Sequence, residues 1–214
     1  FSVVLIACVY LINVTYEHTN FNLTDNYANY NVSEIHHIKY LTINNSHSSA
    51  LTQNHTPYAY IQLVQKILFS KHGRDFHHKN ILIIGAGGFT LTAKGTHQNK
   101  VTYVDIDPNI KAVVEKHFLK HIKGHFVGAD ARVFLEHSQK KYSAILSDAY
   151  SNISTVPSYL MTANYFELLR AHLVNGGLAI FNIIANPSFK DAFSQHIDNT
   201  IRAVFSHCTA QPLS

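Results

Sequence analysis

A glycine-rich turn and an aspartate follow two successive apolar segments, and together they have the residue types of a nucleoside site. Residues 81–84 (ILII) predict a strand buried on both faces, and three glycines follow it, Gly85, Gly87 and Gly88. Glycines there let the backbone approach a ligand without Cβ atoms in the way, and the short polar helix predicted next would offer unpaired N–H groups. The second segment brings Asp105 to its carboxyl end, where an acid can bind ribose hydroxyls.

The glycine pattern is incomplete as a pyrophosphate-binding fingerprint. Its sixth position is Thr90, where the dinucleotide pattern has glycine. A nucleoside without pyrophosphate, such as an S-adenosyl compound, therefore fits better than NAD. The alternative is that the glycines only make a turn, and Asp105 together with the later strands favours the ligand.

Two further acids follow later strand-like segments. Asp130 comes after a short segment, and Asp148 comes after residues 142–146 (YSAIL). Strands alternating with helices predict a parallel sheet with right-handed crossovers, whose ligands gather at the carboxyl ends of the strands. We predict an α/β fold over residues 57–214, a Rossmann-like doubly wound parallel sheet of the S-adenosylmethionine-dependent transferase type. The alternative for Asp130 and Asp148 is a helix cap or a solvated loop.

The remaining segments predict a smaller β unit and several helices. Residues 17–56 are rich in Asn, Ser, Thr and Tyr, and residues 31–35 and 38–43 predict a strand pair in a small β appendage. Residues 58–69 carry apolar side chains at helical spacing. We also predict a helix stop at residues 175–177 and a last strand from residue 204.

Residues 1–16 carry no charge. Such a segment is slightly shorter than the ~20 residues that span a bilayer, and it predicts the end of a transmembrane helix. The alternatives are an apolar hairpin or a core helix.

Composition excludes some functions. The net charge is +4 and no dense Lys/Arg block occurs in the 214 residues, so nucleic acid binding is not expected. Cys8 and Cys208 lie far apart and suggest a reducing compartment rather than a disulfide framework. His117, His121 and His125 are spaced by four, but no carboxylate or cysteine completes a ligand set, so no metal is expected.

Four segments resemble the polyamine aminopropyltransferase (spermidine synthase-like) family, and the similarity spans residues 27–208. They are ILIIGAGG, VTYVDIDP, VGADARVFL and YSAILSDAY. The resemblance implies that Asp105 holds the ribose hydroxyls and that Asp130 accepts from the adenine amino group. It implies that Asp148 orients and deprotonates the attacking amine, with Tyr58 and Tyr60 bordering the cleft.

The resemblance also implies further contacts and partners. Ile106 and Ala131 would lie against the nucleoside, and Tyr150 and Ser151 against the amine substrate. The co-substrate would be decarboxylated S-adenosylmethionine or S-adenosylmethionine, with no metal. The apolar start and the DAYSN segment are similar to the branch fused to a membrane domain. That likeness implies a cytoplasmic domain anchored to the inner or plasma membrane, and family members commonly form homodimers.

Three positions depart from the family pattern. Gly88 stands where the family has the acid that faces the amino end of decarboxylated S-adenosylmethionine, and Ser151 replaces the second acid of the family's DSSDP segment. Ser48 stands in the place of a glutamine. The lost acids would attract ammonium groups. The departures therefore weaken the expectation of aminopropyl transfer more than that of nucleoside binding.

These observations leave three functional hypotheses. The first is an aminopropyltransferase-like enzyme, the second an S-adenosylmethionine-dependent methyltransferase, and the third a catalytically degenerate subunit of a membrane assembly.

Overall fold

The computed structural model describes residues 2–69, 77–150 and 156–213. Two sheets organise these residues: an antiparallel sheet of four strands and a parallel sheet of five. The predicted substrate residue Ser151 lies outside the described residues. The parallel sheet with flanking helices confirms the predicted α/β fold and the small β appendage.

The antiparallel sheet has the strand order β1-β2-β3-β4. Its strands are β1 (Leu23–Thr24), β2 (Asn29–Ile35), β3 (Ile38–Ile43) and β4 (Ser46–Thr52). The predicted pair is β2 and β3, joined by His36 and His37 with φ of 50° and 64°. Two left-handed residues form a two-residue hairpin turn. No feature of the sequence predicted β4, whose Ser49 accepts a hydrogen bond from the glycine turn.

The parallel sheet places its first strand in the centre. The strands are β5 (Asn80–Ile84), β6 (Lys100–Asp105), β7 (His125–Gly128), β8 (Tyr142–Ser147) and β9 (Leu173–Phe181). Their order is β7-β6-β5-β8-β9, so the chain moves outward on one side of β5 and then on the other. The switch point therefore lies between β5 and β8, where ligands bind in open parallel sheets.

The described residues form six α-helices. They are α1 (Ser2–Asn20), α2 (Ala59–Phe69), α3 (Ile110–Val113), α4 (Ala131–Glu136), α5 (Ala163–Ala171) and α6 (Ala192–Val204). A π-helical turn, Val114–Phe118, continues α3.

Two hydrophobic clusters cover the two faces of the parallel sheet. Ile81 and Ile83 of β5 join one cluster, which includes buried residues of α2, α3 and the antiparallel sheet. Leu82 and Ile84 join the other, which includes buried residues of α4, α5 and α6. This alternation follows from the period of two along a strand. The antiparallel sheet thus shares a core with the parallel sheet, and the division into residues 1–16, 17–56 and 57–214 stays a prediction.

The structure corrects three local predictions. After the glycine turn the chain forms a buried 3-10 turn, Thr90–Thr92, instead of a polar helix. Residues 175–177 do not stop a helix, because α5 ends at Ala171 and these residues form an irregular part of β9. Residues 205–208 form no strand after α6.

The apolar start of the chain forms α1. Large apolar side chains such as Val4, Ile6 and Leu11 are exposed along this helix. Over the residues that the structure describes, no helix has both the length and the apolar character needed to cross a membrane. The predicted membrane attachment through residues 1–16 is therefore not supported.

Candidate active site

The glycine turn after β5 lies against the end of β8. Gly85 has a φ of +88°, and a Cβ atom built there would lie 2.3 Å from the backbone oxygen of Asp148. A side chain cannot approach a backbone atom so closely, so glycine is required at this position. Its backbone N–H donates to Val104 O at 2.9 Å. The close approach of two backbones brings the turn directly beside Asp148.

The other two glycines of the turn contact β4. A Cβ atom at Gly87 would lie 3.1 Å from Ser49 Oγ and 3.3 Å from Ser48 Oγ. The Gly88 backbone N–H donates to Ser49 Oγ at 2.9 Å. A Cβ atom at Gly88 would lie 2.6 Å from Phe118 Cε1 and 2.8 Å from Ser49 Cβ. A side chain at position 88 would therefore require Phe118 or Ser49 to shift.

Asp105 braces the glycine turn. Its Oδ2 accepts the Ala86 backbone N–H at 2.7 Å, and its Oδ1 accepts that of Asp107 at 3.0 Å. Burial raises the pKa of Asp105, and these hydrogen bonds oppose the change. Each carboxylate oxygen has two lone pairs, so both can still accept a ribose hydroxyl. The neighbouring Ile106 is 48% exposed.

A buried tyrosine–aspartate pair joins the antiparallel sheet to the loop after β6. The Tyr30 hydroxyl on β2 donates to Asp107 Oδ2, and the two residues are only 1% and 2% exposed. Asp107 Oδ1 accepts the Asn109 backbone N–H at 2.7 Å. Burial raises the pKa of both Tyr30 and Asp107. Asp107 belongs to the VDIDP segment, but no feature of the sequence pointed to Tyr30 as its partner.

Asp148 lies at the carboxyl end of β8 and both its oxygens are hydrogen-bonded. Oδ2 accepts the Tyr60 hydroxyl at 3.1 Å, and Oδ1 accepts the Asn182 side-chain amide at 2.8 Å. Burial raises the pKa of Asp148 to about 6, although the two hydrogen bonds lower it. Burial and then the charge of Asp148 raise the pKa of Tyr60. A carboxyl group with this pKa can gain and lose a proton near neutral pH.

Sequence reasoning missed Asn182. It directly follows β9, so its position at the carboxyl end of a parallel strand was the available signal. The Tyr150 hydroxyl donates to the backbone oxygen of Asn182 at 2.9 Å, and burial raises the pKa of Tyr150. The Tyr58 ring stacks on the Tyr60 ring with centroids 6.5 Å apart. These aromatic side chains form one wall beside Asp148.

Asp130 is the N-cap of α4. Its Oδ1 accepts the backbone N–H groups of Arg132 at 2.9 Å and Val133 at 3.1 Å. Its Oδ2 accepts the Tyr159 hydroxyl at 3.0 Å. Capping is the alternative that the sequence left open for Asp130, and a contact with adenine through Oδ2 stays a prediction. Ala131 is buried at the first position of α4.

Most of the predicted site residues line one cleft. Those on its wall are Tyr58, Tyr60, Gly85, Gly87, Asp105, Ile106, Ala131, Asp148 and Tyr150. In the described part of the chain, Gly88 and Asp130 are not among the lining residues. The cleft is open and continues along β9 to the C-terminal residues, and the whole hollow measures about 2110 Å³.

The histidines at spacing of four do not share a helix face. His117 lies in the π-helical turn, whereas His125 begins β7. Within residues 2–69, 77–150 and 156–213, no three His, Cys, Asp or Glu side chains are grouped as a metal site requires.

The central glycine turn, the parallel sheet and the cleft at the switch point define the class of the protein. It has an α/β fold of the S-adenosylmethionine-dependent methyltransferase type. Residues 58–212 match the family model described as "Spermine/spermidine synthase domain". The chain therefore belongs to the spermine/spermidine synthase family.

Curated relatives and solved structures agree with this assignment. A polyamine aminopropyltransferase of Saccharolobus islandicus is 33% identical over 143 residues, covering 62% of this chain and 47% of the relative. One of Saccharolobus solfataricus is 27% identical over 198 residues, covering 75% and 65%. The chain thus spans about half the length of several curated relatives it matches.

Two solved structures share the fold. A probable spermidine synthase from Corynebacterium glutamicum has a TM-score of 0.72 at 19% identity, covering 86% of this chain and 70% of that chain. A spermidine synthase in complex with the transition state analogue AdoDATO has a TM-score of 0.64 at 13% identity, covering 86% and 64%.

Proposed function

We propose that the domain binds an S-adenosyl or methylthioadenosine-type nucleoside and transfers an aminopropyl group from its sulfur to an amine, with Asp148 as the base. Membership of the family supports the reaction class. The environment of Asp148 is the observation that carries the proposal: a carboxylate with a pKa of about 6, held by Tyr60 and Asn182 beside the glycine turn.

The proposed reaction is a displacement at the carbon next to the sulfonium sulfur. The amine nitrogen forms a bond to this carbon, the carbon–sulfur bond breaks, and its electron pair goes to the sulfur of the departing methylthioadenosine. An ammonium ion cannot attack, because its nitrogen has no free lone pair. Asp148 holds the incoming ammonium, accepts one proton and aligns the neutral amine. At pH values above about 6 it is mostly ionised and ready to accept that proton.

The other predicted residues have binding roles in this proposal. Asp105 binds the ribose hydroxyls, and Ile106 lies against the nucleoside. Tyr58, Tyr60 and Tyr150 border the amine subsite, which suits the alkyl chain of a short diamine because aromatic rings cover it.

Transfer is tested with the purified chain, decarboxylated S-adenosylmethionine and a panel of short diamines. Methylthioadenosine release is measured by chromatography between pH 5 and pH 9. We expect Asp148→Asn to lower the rate at least about a hundredfold, within the range of general base catalysis, and to leave nucleoside affinity unchanged. The control Glu136→Gln, on α4 with a side chain that is 51% exposed, should keep the wild-type rate.

The pH dependence adds a second criterion. The wild-type rate should fall about tenfold for each pH unit below about 6, because the protonated carboxyl cannot accept a proton. An Asp148→Asn variant that retains the wild-type rate would rule out Asp148 as the base. A rate that stays constant down to pH 5 would do the same.

Glycine at position 88 favours methyl transfer as a second candidate, because the resemblance implies an acid there that faces the amino end of the decarboxylated donor. Methyl transfer from S-adenosylmethionine releases S-adenosylhomocysteine instead of methylthioadenosine, so the same chromatography separates the two reactions. A protein that binds neither nucleoside at millimolar concentration would fit the third hypothesis, a degenerate subunit. A homodimer and a cytoplasmic location stay predictions.

A further inference from the structure

Two backbone N–H groups fix the orientation of the Asp105 carboxylate, which binds the ribose in the proposed function. The Ala86 N–H bonds its Oδ2 at 2.7 Å, and the Asp107 N–H bonds its Oδ1 at 3.0 Å. Ala86 belongs to the glycine turn, whereas Asp107 belongs to the loop after β6. Hydrogen bonds to a carboxylate weaken when its oxygens point away from the donor. The position of Asp107 therefore affects how well Asp105 can accept a ribose hydroxyl.

Asp107 is held in turn by the antiparallel sheet. The Tyr30 hydroxyl donates to its Oδ2, and the Asn109 backbone N–H donates to its Oδ1 at 2.7 Å. A second bridge lies nearer the surface, where Asp25 Oδ2 accepts the Asn109 side-chain amide at 2.9 Å. Tyr30 and Asp107 are both buried, so Tyr30 is the anchor that water cannot easily replace.

The Tyr30 hydroxyl also favours the ionised form of Asp107. Burial raises the pKa of Asp107, and the hydrogen bond from Tyr30 opposes that rise. Without the hydroxyl, a buried carboxylate oxygen has no donor, which is unfavourable enough for the side chain to rotate or to take up a proton. Rotation also breaks the bond from the Asn109 N–H, so the loop that carries the Asp107 N–H loses both of its anchors at this side chain.

We propose that Tyr30 is a positioning residue for the ribose site: it holds Asp107 so that the Asp107 backbone N–H orients the Asp105 carboxylate toward the ribose hydroxyls. This inference rests on the proposed function, because it takes the ribose position from it. It goes further in making the antiparallel sheet part of the nucleoside site, through a residue that acts by way of Asp107 and Asp105.

Calorimetric titration with methylthioadenosine and its 2′-deoxy and 3′-deoxy analogues tests this role. The ratio of the dissociation constants of an analogue and of methylthioadenosine reports on the ribose hydroxyl alone, because the adenine and the sulfur substituent are the same in both. We expect at least one ratio of about tenfold or more in the wild type, since a hydrogen bond to a charged group is lost. Tyr30→Phe should lower this ratio at least about threefold, because the carboxylate is less well oriented. An unchanged ratio in Tyr30→Phe overturns the inference.

Tyr165→Phe is the matched control. Tyr165 is also fully buried, and its hydroxyl shares a hydrogen bond with Ser147 Oγ at 3.2 Å, but it belongs to the hydrophobic cluster on the other face of the parallel sheet. The substitution removes the same group from the interior without touching the loop after β6. We expect Tyr165→Phe to keep the wild-type ratio, whatever it does to urea unfolding. An equal fall of the ratio in both variants would indicate general destabilisation and would overturn the inference.

A double variant tests the route through Asp107 and covers the case in which Tyr30→Phe does not fold. Tyr30→Phe combined with Asp107→Ala removes both partners, so no buried carboxylate oxygen is left without a donor. We expect it to have the ratio of Tyr30→Phe alone, because the link is already broken. A double variant with the wild-type ratio overturns the inference. A ratio more than about threefold below that of Tyr30→Phe would show that the two residues act independently, and it would also overturn the inference.

The outcomes separate this inference from the proposed function. If the wild type prefers methylthioadenosine to its deoxy analogues and Tyr30→Phe keeps that preference, only the role of Tyr30 is wrong. If the wild type binds all three equally, the ribose role of Asp105 and the role of Tyr30 are wrong, and nucleoside binding stands. If none of the three binds, the proposed function and this inference are both wrong.

Discussion

Replacing Asp148 by asparagine should stabilise the protein at neutral pH. An unfolded chain titrates this carboxyl near its ordinary pKa of 3.8, whereas burial raises the pKa to about 6 in the folded chain. One pKa unit corresponds to about 1.4 kcal/mol, so the ionised Asp148 lowers the free energy of unfolding by roughly 3 kcal/mol. Asparagine carries no charge, so the free energy of unfolding of the variant is not lowered in this way.

The sign and the pH range follow from the higher pKa in the folded state. Below about pH 4 the carboxyl is mostly protonated in both states, so it hardly changes the free energy of unfolding. Between about pH 4 and pH 6 the unfolded state loses its proton first, so the folded state becomes less stable relative to it. Above about pH 6 the free energy of unfolding of the wild type is lowered by the full amount. The variant lacks this dependence, so its advantage should appear only as the pH rises through this window.

The local hydrogen bonds can survive the substitution. The new side-chain oxygen accepts the Tyr60 hydroxyl, and a rotation of the Asn182 amide lets its oxygen accept from the new amide. We therefore expect Asp148→Asn to gain about 2–3 kcal/mol at pH 8 and almost nothing at pH 4.

Urea unfolding of the wild type and of Asp148→Asn at each pH from 4 to 8 measures this difference. Other titrating groups contribute equally to both proteins and cancel. Glu136→Gln is the control, because Glu136 forms an exposed pair with Arg132, 4.0 Å apart, that contributes little. A difference that does not change with pH, or a variant less stable than the wild type at pH 8, would refute the reasoning. The measurement needs no enzymatic activity.

Two further substitutions test the contacts that support the site. Gly85→Ala should lower the free energy of unfolding by at least about 3 kcal/mol, because its Cβ would meet a backbone oxygen at 2.3 Å and its φ is +88°. Gly176→Ala, with φ +72° and open space around the Cβ, should cost only about 1–2 kcal/mol, so equal losses in urea unfolding would contradict the steric account. Tyr30→Phe should cost about 1–3 kcal/mol because a buried Asp107 oxygen loses its donor, and a loss no larger than that of the exposed Tyr27→Phe would show that the pair is unimportant.

The parallel sheet could be predicted because its central strands carry local signals. Residues 81–84 and 142–146 are short apolar runs, and each is followed by glycine or acid at the point where the strand ends. A strand buried on both faces has this pattern whatever surrounds it. The positions of Asp105 and Asp148 then follow from the rule that parallel strands end at one edge.

The remaining features depend on contacts between distant parts of the chain. The strand β4 reads SHSSALT, which has little hydrophobic alternation, and pairing with β3 determines its conformation. Tyr30 and Asp107 are 77 residues apart, and no local pattern links them. Glycines at 176 and 177 are typical of a helix stop, but here they lie in the irregular start of β9.

Two unfavourable features of the fold coincide at the switch point. Gly85 adopts a backbone conformation that other residues rarely adopt, and Asp148 holds a charge that burial disfavours. Folding alone would be served better by a neutral side chain at position 148. Burial raises the pKa of Asp105 as well, but its oxygens accept two backbone N–H groups and hold the glycine turn, and Asp130 caps a helix. Local structure therefore accounts for Asp105 and Asp130 without any ligand. It gives no such reason for Asp148, so Asp148 is the residue whose substitution tests catalysis most directly.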